Sequence, residues 1–388
     1  MYMLRHVPER MGQALCICSR GSLTIDNKRY YFIQKLDEGG FSYVDLVEGV
    51  QDGHFYALKR ILCHDRVGCQ EAQTEVDMHR LFNHPNILSL TAHTFVERGG
   101  KSEAWLLLPY ISVSRLDNTH TQTHMLSHTH MPSHKHAHTI ILHTLSHTHT
   151  HTLSYTHTHT LYVKRTQSGK YMLHRFLTVC VCVMQKGSLW SVLEKLRDKG
   201  SVMAERRVIR ILQGICSGLK AMHDRGYAHR DLKPTNVLLE EEDLPLLMDL
   251  GSMNRSRIEV RGTREAMTVQ DWAAQRCTIS YRAPELFNVD SHCVIDERTD
   301  IWSLGCVLYC MMMLEGPYDL IFQKGDSVAL AVQNPIHIPQ SCSYSEGLQM
   351  LLSSIMVSNP QERPDINWVL DQVHDLLARS ATTQTNMV

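Results

Sequence analysis

Apolar and polar side chains alternate between residues 30 and 62, around Tyr31–Lys35, Tyr43–Glu48 and Phe55–Arg60, with Gly39, Gly40 and Gly53 separating the runs. A period of two broken by turn residues predicts a three-stranded antiparallel start. Over Glu71 to Phe82 the period becomes helical, and it stops at the breaker Asn83-His84-Pro85-Asn86. Two short strands are expected next, Ser89–Val96 and Ala104–Pro109. From Leu189 the pattern turns to long helical periods, such as Glu205 to His223 and Ile301 to Leu314. The fold class this predicts is α+β, a small β-rich lobe followed by a larger α-helical lobe.

Five segments follow from these changes of pattern: 1–29 ahead of the strands, 30–111 as the small lobe, 112–185 as an insertion, 186–378 as the large lobe and 379–388 as a tail. The insertion alternates His and Thr, as in His147-Thr148-His149-Thr150-His151-Thr152, and holds 14 of the 25 histidines. So few apolar groups cannot offset the entropy of ordering, and disorder is the expectation. Neutral imidazoles in such a run could chelate zinc, copper or nickel. The plainer reading is a translated simple-sequence repeat. A CA dinucleotide tract reads as His-Thr, and its TG complement as Cys-Val, which appears at Val179-Cys180-Val181-Cys182-Val183.

Charge narrows the partners. With 39 basic and 40 acidic side chains the chain carries no electrostatic footprint for nucleic acid. Its 12 cysteines are scattered without repeated zinc-site spacing, as expected of reduced thiols in a cytoplasmic setting. The longest apolar stretch, Phe176 to Met184, is about half of the roughly 18 to 20 residues a bilayer requires. A tether, rather than a span, is the membrane contact to expect.

The chemistry concentrates in a few strings. Leu36-Asp37-Glu38-Gly39-Gly40-Phe41-Ser42-Tyr43-Val44 lies between two predicted strands, where a glycine-rich hairpin can fold its backbone over a triphosphate. Asp37 and Ser42 replace the outer glycines of the usual pattern, so alone the stretch is a weak signal. It gains weight from Tyr56-Ala57-Leu58-Lys59, a strand lysine with a prospective partner in Glu75 on the following helix. The strongest signal is His229-Arg230-Asp231-Leu232-Lys233-Pro234-Thr235-Asn236, followed thirteen residues later by Asp249-Leu250-Gly251. Phosphoryl transfer needs a carboxylate to align the hydroxyl and accept its proton, here Asp231, and oxygen ligands for Mg²⁺, here Asn236 and Asp249. Lys233 can neutralise charge on the transferring phosphate. His229 reads as a packing residue and Arg230 as a surface charge. Ala283-Pro284-Glu285 and Asp300-Ile301-Trp302-Ser303-Leu304-Gly305 complete the series.

With these motifs in this order, the sequence resembles the protein kinase superfamily over nearly all of residues 30 to 378 apart from the insertion. Within it, Glu38-Gly39-Gly40-Phe41-Ser42 resembles the glycine loop of the Numb-associated kinase family. The strings Met11 to Ser19, Asp249 to Met253 and Asp271 to Arg282 are similar to its myristoylated and palmitoylated branch. The resemblance implies an active serine/threonine kinase using ATP and Mg²⁺ on protein substrates. It implies an ATP site made by Leu36, Gly39, Gly40, Phe41, Ser42, Val44, Ala57, Lys59, Glu75 and the inter-lobe strand Leu108, Pro109 and Tyr110. It also implies an Arg363–Glu285 brace in the large lobe, and makes Lys233 and Thr278 markers of serine/threonine preference. Autophosphorylation is expected among Thr268, Thr278, Ser280 and Tyr281. If translation starts at Met11, Gly12 takes a myristoyl chain and Cys16 and Cys18 take palmitoyl chains, and two chains anchor stably where one does not. A peripheral membrane location, perinuclear or Golgi, goes with that. The alternative is an inactive scaffold, because the insertion enters just after Leu107-Leu108-Pro109-Tyr110, with Lys186-Gly187-Ser188 resuming the lobe.

Overall fold

The computed structural model describes residues 22–38, 42–98, 101–111 and 187–385. The glycine-loop residues Gly39, Gly40 and Phe41, the acylation candidates Gly12, Cys16 and Cys18, and the His-Thr insertion lie outside the described residues.

The first lobe is a six-stranded antiparallel sheet built from β1 (Ser22–Ile25), β2 (Lys28–Glu38), β3 (Ser42–Gly49), β4 (Phe55–Cys63), β5 (Ala92–Arg98) and β6 (Lys101–Pro109), in the order β1-β2-β3-β4-β6-β5. Central β6 is buried on both faces, which is why Ala104 to Leu108 reads as a continuous apolar run instead of alternating. Trp105 and Leu107 enter one core with Ile25, Tyr30, Val47 and Leu58. Ala104 and Leu106 face the other way, onto Ala72 and Val76 of helix α1 (Arg66–Leu81).

Two boundaries differ from the sequence expectation. The sheet begins at Ser22, inside the segment set ahead of the strands, because Asp26 and Asn27 take positive φ (49° and 58°) and turn β1 back onto β2. Asp and Asn tolerate that conformation best among residues with side chains. Helix α1 starts five residues early, since the Asp65 carboxylate accepts the Gly68 N–H at 2.8 Å and caps a first turn, Arg66 to Cys69, that holds a glycine and shows no apolar periodicity.

In the second lobe, α2 (Leu189–Asp198) is capped by Ser188, and α3 (Glu205–His223) buries one face. A series of short strands follows: β7 (Tyr227–Ala228), β8 (Val237–Leu239), β9 (Pro245–Leu247), β10 (Asn254–Arg255) and β11 (Ile258–Arg261). Helix α4 (Thr263–Arg276) leads to β12 (His292–Ile295), which pairs with β11. Helix α5 (Arg298–Met313) is buried almost all round, as expected of a helix apolar on every face. The C-terminal helix, α6 (Ile366–Thr385), continues beyond residue 378 and packs on α3. Among the described residues no helix is long and apolar enough to cross a membrane.

Candidate active site

Strand alternation sends Leu58 into the sheet core and Lys59 to the opposite face, toward α1. There Lys59 Nζ donates to Glu75 Oε1 at 2.7 Å and to Asp249 Oδ1 at 2.6 Å, so one ammonium joins strand, helix and the second lobe. Burial alone would lower the Lys59 pKa, but the two carboxylates outweigh it and hold the ammonium above its ordinary range. The Lys59 charge in turn keeps the Asp249 carboxyl down at about 2. Asp249 adopts a left-handed backbone (φ 61°, ψ 66°), a conformation that costs a non-glycine residue roughly 1 to 3 kcal/mol and is held only where surroundings enforce it. Two residues on, a Cβ placed on Gly251 would meet Glu75 Oε2 at 3.0 Å, so glycine is what lets the Glu75 carboxylate approach this turn.

The loop before β8 gathers the remaining groups. Asp231 is buried, and its carboxylate accepts from Lys233 Nζ at 2.8 Å, from the Thr278 N–H at 2.8 Å and from Asn236 Nδ2 at 3.2 Å. Lys233 also donates to Thr278 Oγ1 at 2.7 Å, and Asn236 Nδ2 to the Asp231 carbonyl at 2.9 Å. A carboxylate has about four lone-pair sites. Three donors therefore fix its orientation and leave acceptor capacity for one hydroxyl.

What fixes this loop is Asp300, at the start of α5 and fully buried. Its Oδ2 accepts from the His229 N–H and from His223 Nε2, and its Oδ1 from the Arg230 N–H, each at 2.8 Å. Burial would raise its pKa, but the His223 bond and the Arg230 charge bring it to about 2. Asp300 stands in the sequence only as the first residue of an apolar string, with no partner nearby in the chain to mark its role. The available signal was a carboxylate opening a wholly apolar helix, which must be buried and therefore partnered. Arg230 requires a correction. It is no surface charge but 3% exposed, and it donates to Asn254 Oδ1, Thr299 Oγ1 and the carbonyls of Asp296, Arg255 and Ser256. His229 is buried, as expected of a packing residue, with Nε2 3.1 Å from the Met248 carbonyl.

The strand leading out of the small lobe keeps its register to the end. Leu108 pairs with Ala57 and Pro109 with Tyr56, and Tyr110 follows directly. The described chain breaks at Ile111 and resumes at Gly187, and these two ends adjoin. A Cβ on Gly187 would lie 2.7 Å from the Ile111 carbonyl oxygen, and the Gly187 carbonyl accepts the Leu239 N–H at 2.8 Å. Ala57, Ile111 and Leu238 pack in one cluster with Leu108, while Val44 pairs with Lys59 on the neighbouring strand. Leu36 lies on β2, and Ser42 opens β3 opposite Ile61.

Among the described residues no group of three or more His, Cys, Asp and Glu could hold a metal. Magnesium needs less from a protein, one or two oxygen ligands, and takes the rest from phosphates and water. An ionised Asp249 and an Asn236 whose nitrogen is committed to Asp231 fit that requirement.

The hydroxyls singled out for modification fall into two groups. Thr268 is exposed on α4. Thr278 is tied to Lys233, while Ser280 and Tyr281 are 5% and 7% exposed, the Tyr281 hydroxyl lying 3.5 Å from Cys310 Sγ. Arg363, also buried, makes a two-pronged pair with Glu285 at 2.8 and 3.0 Å.

Residues 157–374 match the protein kinase domain family. Human serine/threonine-protein kinase 16 is 53% identical over 366 residues, which cover 94% of this chain and 96% of that protein. The rat protein of the same name is 52% identical over the same shares. Serine/threonine-protein kinase ppk13 of Schizosaccharomyces pombe is 26% identical over 90% of this chain and 91% of its own length.

Proposed function

The chain belongs to the protein kinase family and is a serine/threonine protein kinase, and from that premise we propose which side chains carry the transfer. Lys59, steadied by Glu75, holds the α- and β-phosphates of ATP under the loop Leu36 to Val44. Asp231 accepts a hydrogen bond from the substrate Ser or Thr hydroxyl and aims its oxygen at the γ-phosphorus. The new O–P bond forms as the bond to ADP breaks, and the hydroxyl proton passes to Asp231. Lys233 stabilises negative charge on the moving phosphoryl group. Asn236 and Asp249 are the residues that would hold Mg²⁺, which when bound neutralises the phosphate oxygens. The supporting observation is that Lys59 reaches Asp249 across the two lobes while Asp231 is held by three donors.

The test is ATP-dependent phosphorylation of a basic protein by the purified chain. Asp231→Asn is expected to lower kcat by about 10² to 10⁴ with the fold retained. Equal activity of the variant would remove Asp231 from the chemistry, and nucleotide binding without transfer in the parent chain would favour a scaffold.

Two finer readings go with this. Autophosphorylation at Thr268 is supported by its exposure, whereas Thr278, Ser280 and Tyr281 would each need their segment to open first. Membrane tethering through Gly12, Cys16 and Cys18 in a chain starting at Met11, at perinuclear or Golgi membranes, rests on the sequence motif. Loss of membrane fractionation on Gly12→Ala is the expected result, and retention would refute it.

A further inference from the structure

We propose that Cys63 and Cys69 are a thiol pair that a hydroperoxide converts into a disulfide, joining the end of β4 to the first turns of α1. Cys63 is buried and Cys69 half-buried, and both pack in the cluster formed with Ala72 and Val76. Gly68, next to Cys69, folds back on Cys63, since a Cβ built on it would lie 3.6 Å from the Cys63 Cα. Both line a surface cavity of about 580 Å³, together with His64, Gln73, Phe95 and Ser102. A reachable thiol beside a sheltered second one is the arrangement in which oxidation stops at a disulfide. The other buried thiols among the described residues, Cys216, Cys277, Cys306 and Cys310, do not line this cavity.

The chemistry needs no cofactor. The Cys69 sulfur, reached through the cavity, attacks the outer peroxide oxygen. The O–O bond breaks, an alcohol or water leaves, and Cys69 becomes a sulfenic acid. The Cys63 sulfur then attacks that sulfur, the S–S bond forms, and water leaves carrying the Cys63 proton. Two thiols have lost two electrons to the hydroperoxide.

The bridge bears on the active site because β4 also carries Lys59, and α1 also carries Glu75. The thiols share one cluster and one cavity while Lys59 and Glu75 are paired, so the bond closes with α1 in its present place and pins it there. The oxidised enzyme therefore keeps transferring phosphoryl groups.

The test uses the full chain treated with hydrogen peroxide, alkylated and cut after Lys and Arg. Arg66 lies between the two cysteines, so cleavage puts them on separate peptides, 61–66 and 67–80. The expected result is a linked pair of these peptides that dithiothreitol separates, with an unchanged phosphorylation rate. Cys69→Ser should give no link and leave Cys63 as a free thiol. The proposal is overturned if the two peptides are recovered unlinked after other cysteines have reacted, or if Cys69 joins a different cysteine. A linked product that loses activity, while oxidised Cys69→Ser keeps it, overturns the claim that the bridge closes with α1 in place.

Discussion

Replacing Asp300 by Asn tests how the catalytic loop is held. The native carboxylate meets two backbone N–H donors on different oxygens, at 2.8 Å each, and an imidazole nitrogen at 2.8 Å. An amide of the same shape offers one oxygen, so its NH₂ must face a donor that cannot rotate away. The depression of the Asp300 pKa from 3.8 to about 2 corresponds to roughly 2 to 3 kcal/mol at about 1.4 kcal/mol per unit. An unmade buried hydrogen bond costs about 1 to 3 kcal/mol by an independent route. Both lead to a loss of about 1 to 3 kcal/mol, readable as a lower urea midpoint at unchanged slope. The folded-state pKa lies below the unfolded one, so this stability is present above about pH 4 and disappears as pH falls toward 2. Asp300→Asn should accordingly unfold with a shallower acid limb in that window. Because the two anchored N–H groups belong to the residues just before Asp231, kcat should fall about 10- to 100-fold, as expected of a sub-ångström to 1 Å misplacement. The KM for ATP should move less, since Lys59 and Glu75 are held by other contacts. A stability loss below about 0.5 kcal/mol with unaltered kcat would refute the reasoning.

Three further outcomes are expected. Arg363→Ala leaves Glu285 a partnerless carboxylate and should destabilise the chain by about 3 to 5 kcal/mol in urea, whereas an Arg363→Met, Glu285→Leu double variant should recover most of that loss. Gly251→Ala brings a methyl to 3.0 Å from Glu75 Oε2 and should raise the KM for ATP several-fold with less than about 1 kcal/mol lost in denaturation; an unchanged KM would mean that Glu75 moves at no cost to nucleotide binding. Replacing residues 112–186 by a short Gly-Ser linker should preserve phosphorylation, because Ile111 and Gly187 already adjoin. Loss of ATP binding in that chain would refute the reading that the ends of the insertion meet without distorting the strand.

Much of the small lobe was legible because its signals are local. The period of two around Phe55–Arg60 and the apolar run of β6 each state their structure within a few residues, as the spacing from Asp231 to Asn236 does in the large lobe. Arg230 was illegible for a physical reason. Three of its acceptors are backbone carbonyls, which every residue possesses, supplied from 25 to 66 positions away. A side chain that reads neighbouring main chain leaves no complementary residue type to find. The first turns of α1 were hidden differently, since Asp65 starts the helix by capping while apolar periodicity begins only later.

Each reactive side chain in this site is governed by a buried group on a separate helix. Glu75 on α1 sets Lys59, and Asp300 on α5 sets the loop that presents Asp231. Asp249 joins the two arrangements through its 2.6 Å contact with Lys59, and it is already ionised before any ligand arrives. Nucleotide phosphates would compete with Asp249 for the Lys59 ammonium, so the carboxylate freed by that exchange is available as a metal ligand without a proton having to leave. If Asp249 holds Mg²⁺ as proposed, the ion pair between the lobes and metal binding are alternative uses of one charge, and the first prepares the second.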